Sequence, residues 1–284
     1  MINYVKRKDL EVAKYNDCIE NSIQSRIYAF SWYLDIVADN WDVLVLNDYE
    51  AVMPIPWKQK YFIKYVIQPF FCQQLGIFSK DIISKYFEKE MLKKIPRKFL
   101  KISLTLNTDN FLLSKKASRR NYTLRLNKEY LEIQKGFSKG RKHAVKVGEK
   151  VGLKVASCTI EELIKIQSEN YKYDIPITIL KNLAKVFLQK EKGIILGVFK
   201  DEKLLGGGFF IKDEHRFIYL YAAFNLEGRK LQAASLLISN VVKKHQSSNL
   251  RLDFEGGNIS NIGKFYRSFG AEEEVCSIFN KALI

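Results

Sequence analysis

The sequence is poor in the residues that hold metals or form covalent intermediates. Among 284 residues there are four cysteines and three histidines. Cys18, Cys72, Cys158 and Cys276 stand far apart with no Cys-x-x-Cys pair, so no zinc site is indicated and no metal is expected. Reduced thiols are the default for such a chain. Neither Cys nor His falls in a recognisable nucleophile–base pattern. Proline and glycine are sparse, at 5 and 15 residues, which excludes a low-complexity chain. Long apolar runs are missing too. The most hydrophobic stretch, YFIKYVIQPFFCQQLGIF, is broken by Lys64, Gln68, Pro69, Gln73 and Gln74 and is too polar to be a transmembrane helix, which needs about 20 mostly apolar residues. The N-terminal MINYVKRKDLEVAKYNDC has no apolar core of a secretory signal, so a cytoplasmic location is expected. Acids are the last shortage, with 31 Asp and Glu against 47 Lys and Arg and a formal charge of +16. That balance favours polyanionic partners: nucleic acid, phosphorylated cofactors or an anionic membrane surface. The plain alternative is solubility.

What is present is periodicity. The length fits one large or two medium domains. RIYAFSWYLDIVA (26–38) has the pattern of an amphipathic helix, and WDVLVLNDYEAVMPIPW reads as two strands joined at Asn47-Asp48. YFIKYVIQPFFCQQLGIFS is strand-like, with Pro69 limiting it to an edge or a bend. KDIISKYFEKEMLKKI (80–95) is helical and stops at Pro96, and KFLKISLTLN returns to strand period. Thr159 and Glu162 form a capping-box pattern ahead of TIEELIKIQSENYKY. A helix after Pro176 follows, then the strands GIILGVF, KLLGGGFFI and RFIYLYAAF, and GRKLQAASLLISNVVKKH reads as one helix. The triplet Gly206–Gly208 lacks the Lys-Ser/Thr of a phosphate loop and marks a bulged strand. LRLDFEGG is a strand broken by glycine, the segment after it is a helix carrying Tyr266, and EEVCSIFNKALI closes the chain as a strand. Each half therefore runs helix, antiparallel strands, helix, strand. We expect an α/β (α+β) chain of two duplicated units, 1–126 and 127–284, each a mixed, mostly antiparallel sheet flanked by helices.

The second half resembles the N-acetyltransferase (GNAT) superfamily in the order of its elements and in NISNIGKFYRSFGAEEE, which is similar to the closing GNAT motif of Asn, helix and Tyr shortly before Gly. The duplication, DFEGGN leading into FYRSFGA, the first-half WDVLVLNDYEAVMPIPWKQK and QPFFCQQLGIFS, and the basic GFSKGRKHAVKVGEKVGLKV resemble the FemAB-like branch. The resemblance covers most of the chain. It implies transfer of an acyl or aminoacyl group to an amine. The donor it implies is acyl-CoA (acetyl-CoA) in the GNAT pattern or aminoacyl-tRNA in the Fem pattern. The acceptor it implies is a small-molecule or peptide amine, with tRNA or a nucleotide-linked precursor as a partner. Two departures stand out. RKLQAA keeps Arg229 and Ala234 of the GNAT cofactor loop but has Gln232 in place of a glycine, and the helical-hairpin insertion of some Fem enzymes has no counterpart.

Direct acyl transfer to an amine needs a proton acceptor, a proton donor for the leaving group, and hydrogen-bond donors for the oxyanion. At strand period Arg251, Asp253 and Glu255 share one face, so Asp253 and Glu255 can project together to hold or deprotonate the amine. Alternatively they pair with Arg251, Lys264 or Arg267. Tyr266 holds the GNAT position that protonates the leaving thiolate, or it is a boundary aromatic. Arg229 and Lys230, with Gln232 near a helix start and Asn258 in the turn, are candidates for holding the donor. The run from Lys135 to Lys154 holds seven cations and one acid, and Arg141 and Lys142 in it can meet phosphates, or the run is a solvated face. Trp57, Lys58, Gln73 and Gln74 can line an acceptor site or pack between units. The rival reading from another class is a non-catalytic basic module that binds RNA or an anionic surface.

Overall fold

Strand and helix periods alternate along the chain, and a computed structural model covering residues 1–110, 118–172 and 174–282 shows where each element falls. Tyr173, Leu283 and Ile284, at the ends of an expected helix and an expected strand, lie outside the described residues. The chain folds as two compact units, 1–120 with 274–284, and 121–273. The sequence pattern alone divides it at 126/127.

In the first unit, β1 (Ile2–Lys6) and α1 (Val12–Glu20) lead to α2 (Ser31–Val37). The expected helix over 26–38 is shorter than its pattern, because Ile27–Ala29 form a 3-10 turn and Phe30 is extended (φ −60°, ψ 142°). Then come β2 (Asn40–Leu46), β3 (Ala51–Lys60), β4 (Ile63–Ile67), β5 (Phe78–Ser79), α3 (Lys85–Lys93) and β6 (Phe99–Thr105). Helix α3 starts five residues later than the pattern at 80 suggested, because the Ser84 side chain accepts the Phe87 amide and fixes the first turn there. The strands run β1-β2-β3-β4-β6, antiparallel except for the parallel pair β4–β6. Met53, Ile55, Phe99, Ile102 and Leu104 of these strands and Met91 of α3 form the core of this sheet.

The second unit follows with β7 (Ser118–Arg125), α4 (Tyr130–Lys135), α5 (Lys139–Lys150), β8 (Lys154–Ser157), α6 (Ile160–Asn170) and α7 (Ile177–Gln189). Helix α6 carries the full capping box: Thr159 accepts the Glu162 amide and Glu162 returns the bond to the Thr159 amide. Next are β9 (Gly193–Lys200), β10 (Lys203–Lys212), β11 (Arg216–Phe224), α8 (Leu226–Lys230), α9 (Ala233–Lys244), β12 (Arg251–Asp253) and α10 (Ser260–Arg267). The strand order is β7-β12-β11-β10-β9-β8, again antiparallel except for one pair, β11–β12. The glycine triplet lies in β10, and the register slips at Leu204/Gly206 and at Phe209/Phe210. Gly206 has φ +149°, and a Cβ there would meet the Phe224 ring at 2.3 Å, so only glycine fits the bulge. Leu236, Leu237 and Val241 of α9 pack with Phe210, Leu252, Phe254 and Phe269 to form the core. The last strand, β13 (Glu272–Ala282), pairs antiparallel with β6 through Ile278–Ala282.

Candidate active site

The parallel pair of the second unit comes apart. β11 and β12 are in register for three residues only: Arg216 with Arg251, Phe217 with Leu252, Ile218 with Asp253. β12 then ends while β11 runs on to Phe224. The chain after Asp253 bends to the other neighbour, where the Phe254 amide bonds to the Tyr122 carbonyl. A wedge opens between Tyr219–Phe224 and the turn that leads to α10. The equivalent parallel pair in the first unit stays closed. There β4 and β6 stay paired to Ile67 and Ser103, the Gln68 side chain accepts the Thr105 amide, and the Leu75 amide bonds to the Thr105 carbonyl.

The turn below the wedge is held by a buried ion pair. Arg216 Nη1 lies 2.6 Å from Asp253 Oδ2, and their side chains are 8% and 1% exposed. The other Asp253 oxygen accepts the Glu255 amide at 3.0 Å, and the Asn121 side chain accepts the Gly256 amide at 3.2 Å. Asp253 is thus an anchor and does not project into the opening; its partner is Arg216 and none of the three cations expected from the sequence. Strand β12 is central, so both of its faces are covered, and a carboxylate there needs a partner. Glu255, Gly256 and Gly257 follow with φ of +50°, +114° and +144°. A Cβ on Gly257 would meet the Tyr122 ring at 2.3 Å. Glu255, half-buried, keeps a side chain in a left-handed conformation that disfavours one, a type of strain concentrated at functional sites.

Aromatic side chains line the opening. Tyr266, half-buried on α10, stacks on Phe254 at 4.6 Å between centroids. Burial drives the Tyr219 hydroxyl well above its usual range, and the neighbouring Tyr266 and Tyr171 push it further. Tyr171 in turn donates to the Phe224 carbonyl at 3.3 Å, and Arg229 lies over its ring at 4.7 Å while Arg229 Nε donates to the same carbonyl. Tyr266, Tyr219, Tyr171 and Arg229 therefore succeed one another across the wedge. Lys230 is exposed beside Arg229, and Asn258 is exposed in the turn.

The expected single helix over 228–245 is two helices. Gln232 breaks it with φ +64° and caps α9. It stands where the GNAT loop has glycine and takes a conformation glycine would take. Its side chain turns back to accept the Ser235 hydroxyl at 3.2 Å. Beside this first turn sits Arg141. Its Nε donates to Ser268 of α10 at 2.8 Å, its Nη1 donates to Ser235 of α9, and the guanidinium lies over Phe265 and Phe269 at 4.2 and 4.8 Å. Burial lowers it to about 10, so it is still cationic at neutral pH. Arg141 is thus not part of a solvated stripe: it joins α5, the start of α9 and α10. Lys142 donates to the Lys135 carbonyl at 3.0 Å on the outside of α5.

The structure does not bring the four first-unit candidates together. Trp57 Nε1 donates to Asp42 at 2.9 Å and its ring packs on Phe99, while Lys58 pairs with Asp39 at 3.1 Å. Gln74 is fully buried, donating to Gln73 and accepting the Thr108 amide. Trp57 is level with Ile102 of β6 through Val66 of β4, whereas Gln74 precedes the Leu75–Leu106 bridge just past the end of β6. Among the described residues no three His, Cys, Asp or Glu side chains converge on a point suited to a metal ion. No helix there is long and apolar enough to cross a membrane. Burial raises the Cys158 thiol to about 12 and the Cys18 thiol to about 11, far from a thiolate at neutral pH. Sequence reasoning missed Arg216, Asn121, Tyr122, Tyr171, Tyr219, Ser235 and Ser268. The one signal was an Arg heading an apolar strand.

No protein-family model matches the sequence, and no curated protein does. Solved structures do match. FemX is 12% identical, covers 96% of this chain and 96% of its own, and has a TM-score of 0.70. A tandem GNAT protein from the clavulanic acid biosynthesis pathway is 11% identical, with coverages of 99% and 98% and a TM-score of 0.56. L-PGS from Bacillus licheniformis is 11% identical, with coverages of 95% and 91% and a TM-score of 0.52. At these identities the likeness is one of fold.

Proposed function

From its FemAB-like tandem GNAT fold, we propose that the chain is an acyltransferase that moves an acyl or aminoacyl group from a phosphate-bearing donor to an amine. The observation that carries this reading is the parting of β11 and β12 in the second unit alone, above a turn that holds Glu255 in a left-handed conformation, with Tyr266 stacked on Phe254 and Arg141 tying α10 to the first turn of α9. The resemblance supplies two donors, acyl-CoA and aminoacyl-tRNA, and both carry phosphates.

Residues of this chain serve each need of the reaction. Arg141, Arg229, Lys230 and the amides of Ala233 and Ala234 at the start of α9 hold donor phosphate. The edge of β11 from Tyr219 to Ala223, short of Phe224 whose amide and carbonyl are taken by Tyr171, offers backbone groups to a donor laid along it as an added strand. The acceptor amine attacks the donor carbonyl. A C–N bond forms, and the C–S bond of a thioester or the C–O bond of an ester breaks. Glu255 takes the proton from the amine, and Tyr266 gives its phenolic proton to the departing sulfur or oxygen. Each transfer contributes about 10²–10⁴-fold in rate. Asp253 and Arg216 act as positioning residues, fixing the Glu255 turn. The fold shared with FemX and with the tandem GNAT protein fits the branch whose resemblance implies a donor of this class. The test is incubation of the full chain with acetyl-CoA or with aminoacyl-tRNA and a panel of amines and peptides, read by product mass. A product with one donor, lost in Tyr266→Phe, supports the reading. No product with either donor, together with salt-sensitive RNA binding that survives Tyr266→Phe and Glu255→Gln, supports a non-catalytic basic module instead.

A further inference from the structure

The β3–β4 hairpin of the first unit ends in a tip that the fold leaves bare. The strands pair up to Lys60 and Ile63, so Tyr61 and Phe62 make the turn. Phe62 is 97% exposed, Tyr61 82% and Ile63 44%. Single exposed apolar residues are ordinary, but three in succession on a protruding turn are not. Tyr61 also holds φ +54°, at a turn position where glycine or asparagine is favoured. The chain thus keeps a large aromatic against local backbone preference, and the ring touches no core.

The surroundings of the tip are cationic. Lys60 lies over the Tyr61 ring at 5.8 Å and Lys64 over Trp57 at 4.8 Å. The parallel register of Lys64 with Phe99 brings the preceding loop, Arg97 and Lys98, alongside. Lys98 lies over Tyr4 at 4.4 Å and over Phe99 at 5.0 Å, and it is close enough to Lys64 and Lys6 to be repelled by both. None of these five cations makes a salt bridge among the described residues. Asp42, the carboxylate whose field reaches Lys98 among the described residues, is buried and bonded by Tyr4, Trp57 and the Arg7 amide.

We propose that this tip is a membrane anchor: Tyr61, Phe62 and Ile63 enter the interface of an anionic lipid bilayer, and Lys60, Lys64, Arg97 and Lys98 meet its headgroups. The occupant follows from shape and charge. Two or three side chains on a convex hairpin present far less than the roughly 800 Å² per partner of a stable protein interface. Aromatic rings flanked by cations match the headgroup boundary of a negative surface, where such groups bury by about 5–10 Å. This inference concerns the first unit and stands whether or not the second unit is a transferase.

The test is sedimentation of the full chain with vesicles of phosphatidylglycerol and phosphatidylcholine, against phosphatidylcholine alone. The chain is expected to pellet with the anionic vesicles. Phe62→Ser is expected to weaken partitioning about tenfold. Lys60→Gln and Lys64→Gln are expected to weaken it about fivefold each, the effect fading at high salt. Because Phe62 is almost wholly exposed, Phe62→Ser should melt like the parent. In Phe62→Trp, the added indole emission should shift to the blue on mixing with anionic vesicles. Equal pelleting of the parent and Phe62→Ser overturns the proposal. So does a vesicle-free dimer that Phe62→Ser dissociates, or RNA binding that needs Phe62 while vesicles are ignored.

Discussion

Arg216 and Asp253, 37 residues apart in the chain, meet as a buried pair at 2.6 Å and fix the turn on which Glu255 sits. Asp253→Asn leaves Arg216 charged, buried and without its carboxylate. We expect a loss of about 3–5 kcal/mol in denaturant unfolding. The double variant Arg216→Met, Asp253→Leu should recover most of it, because an apolar pair removes both charges together. A loss under 1 kcal/mol for Asp253→Asn, with activity gone, would instead make Asp253 catalytic.

Glu255 separates chemistry from stability. At φ +50° a glycine is better accommodated than any side chain, so Glu255→Gly should be more stable than Glu255→Ala, by up to about 1 kcal/mol. Transfer should nevertheless fall by about 10²–10⁴-fold, as it should in Glu255→Gln. Full activity in Glu255→Gly would remove the side chain from the mechanism.

Arg141→Lys keeps the charge but loses the fork that bonds Ser235 and Ser268 and the flat cation over Phe265 and Phe269. Stability should drop by about 1–2 kcal/mol. The donor KM should rise about tenfold with the acceptor KM unchanged, the effect of about 1.4 kcal/mol of lost donor contact. Equal rises in both KM values would point to a general distortion.

His245 lies half-buried on Phe217, at 4.4 Å between rings, and its proton is disfavoured first by burial and then by Lys244 and Lys212. The folded value therefore lies below the ordinary 6.5, and the unfolded chain binds the proton first. Stability should be full above about pH 6.5 and fall as the pH is lowered through that value toward the folded one. Comparison of Tm at pH 7.5 and 5.5 checks this: the drop should be smaller in His245→Phe.

Much of the fold is legible in the residues. Short continuous apolar runs such as RFIYLYAAF and the capping box at Thr159 place strands and helices from local chemistry alone. The split of the expected 228–245 helix is not legible, because apolar spacing continues across Gln232 and nothing local marks a left-handed glutamine. Arg216 is invisible as a partner of Asp253 because a parallel register joins segments with a whole helix between them. Arg141 had a faint signal. Val145 and Gly148, four and seven residues on, share its helix face and are both buried, so that face was never the solvated one. In the first unit, Trp57 bonds Asp42 while Gln74 accepts the Thr108 amide, partners that no spacing in the sequence reveals.

The central claim is that a donor lies in the gap between β11 and β12. Hydrogen exchange of the full chain, with and without acetyl-CoA or aminoacyl-tRNA, measures this directly. One donor is expected to protect amides within Tyr219–Ala223 and those of Ala233 and Ala234, in the parent and in Tyr266→Phe alike. Protection confined to α5, or none in either segment with either donor, would contradict it.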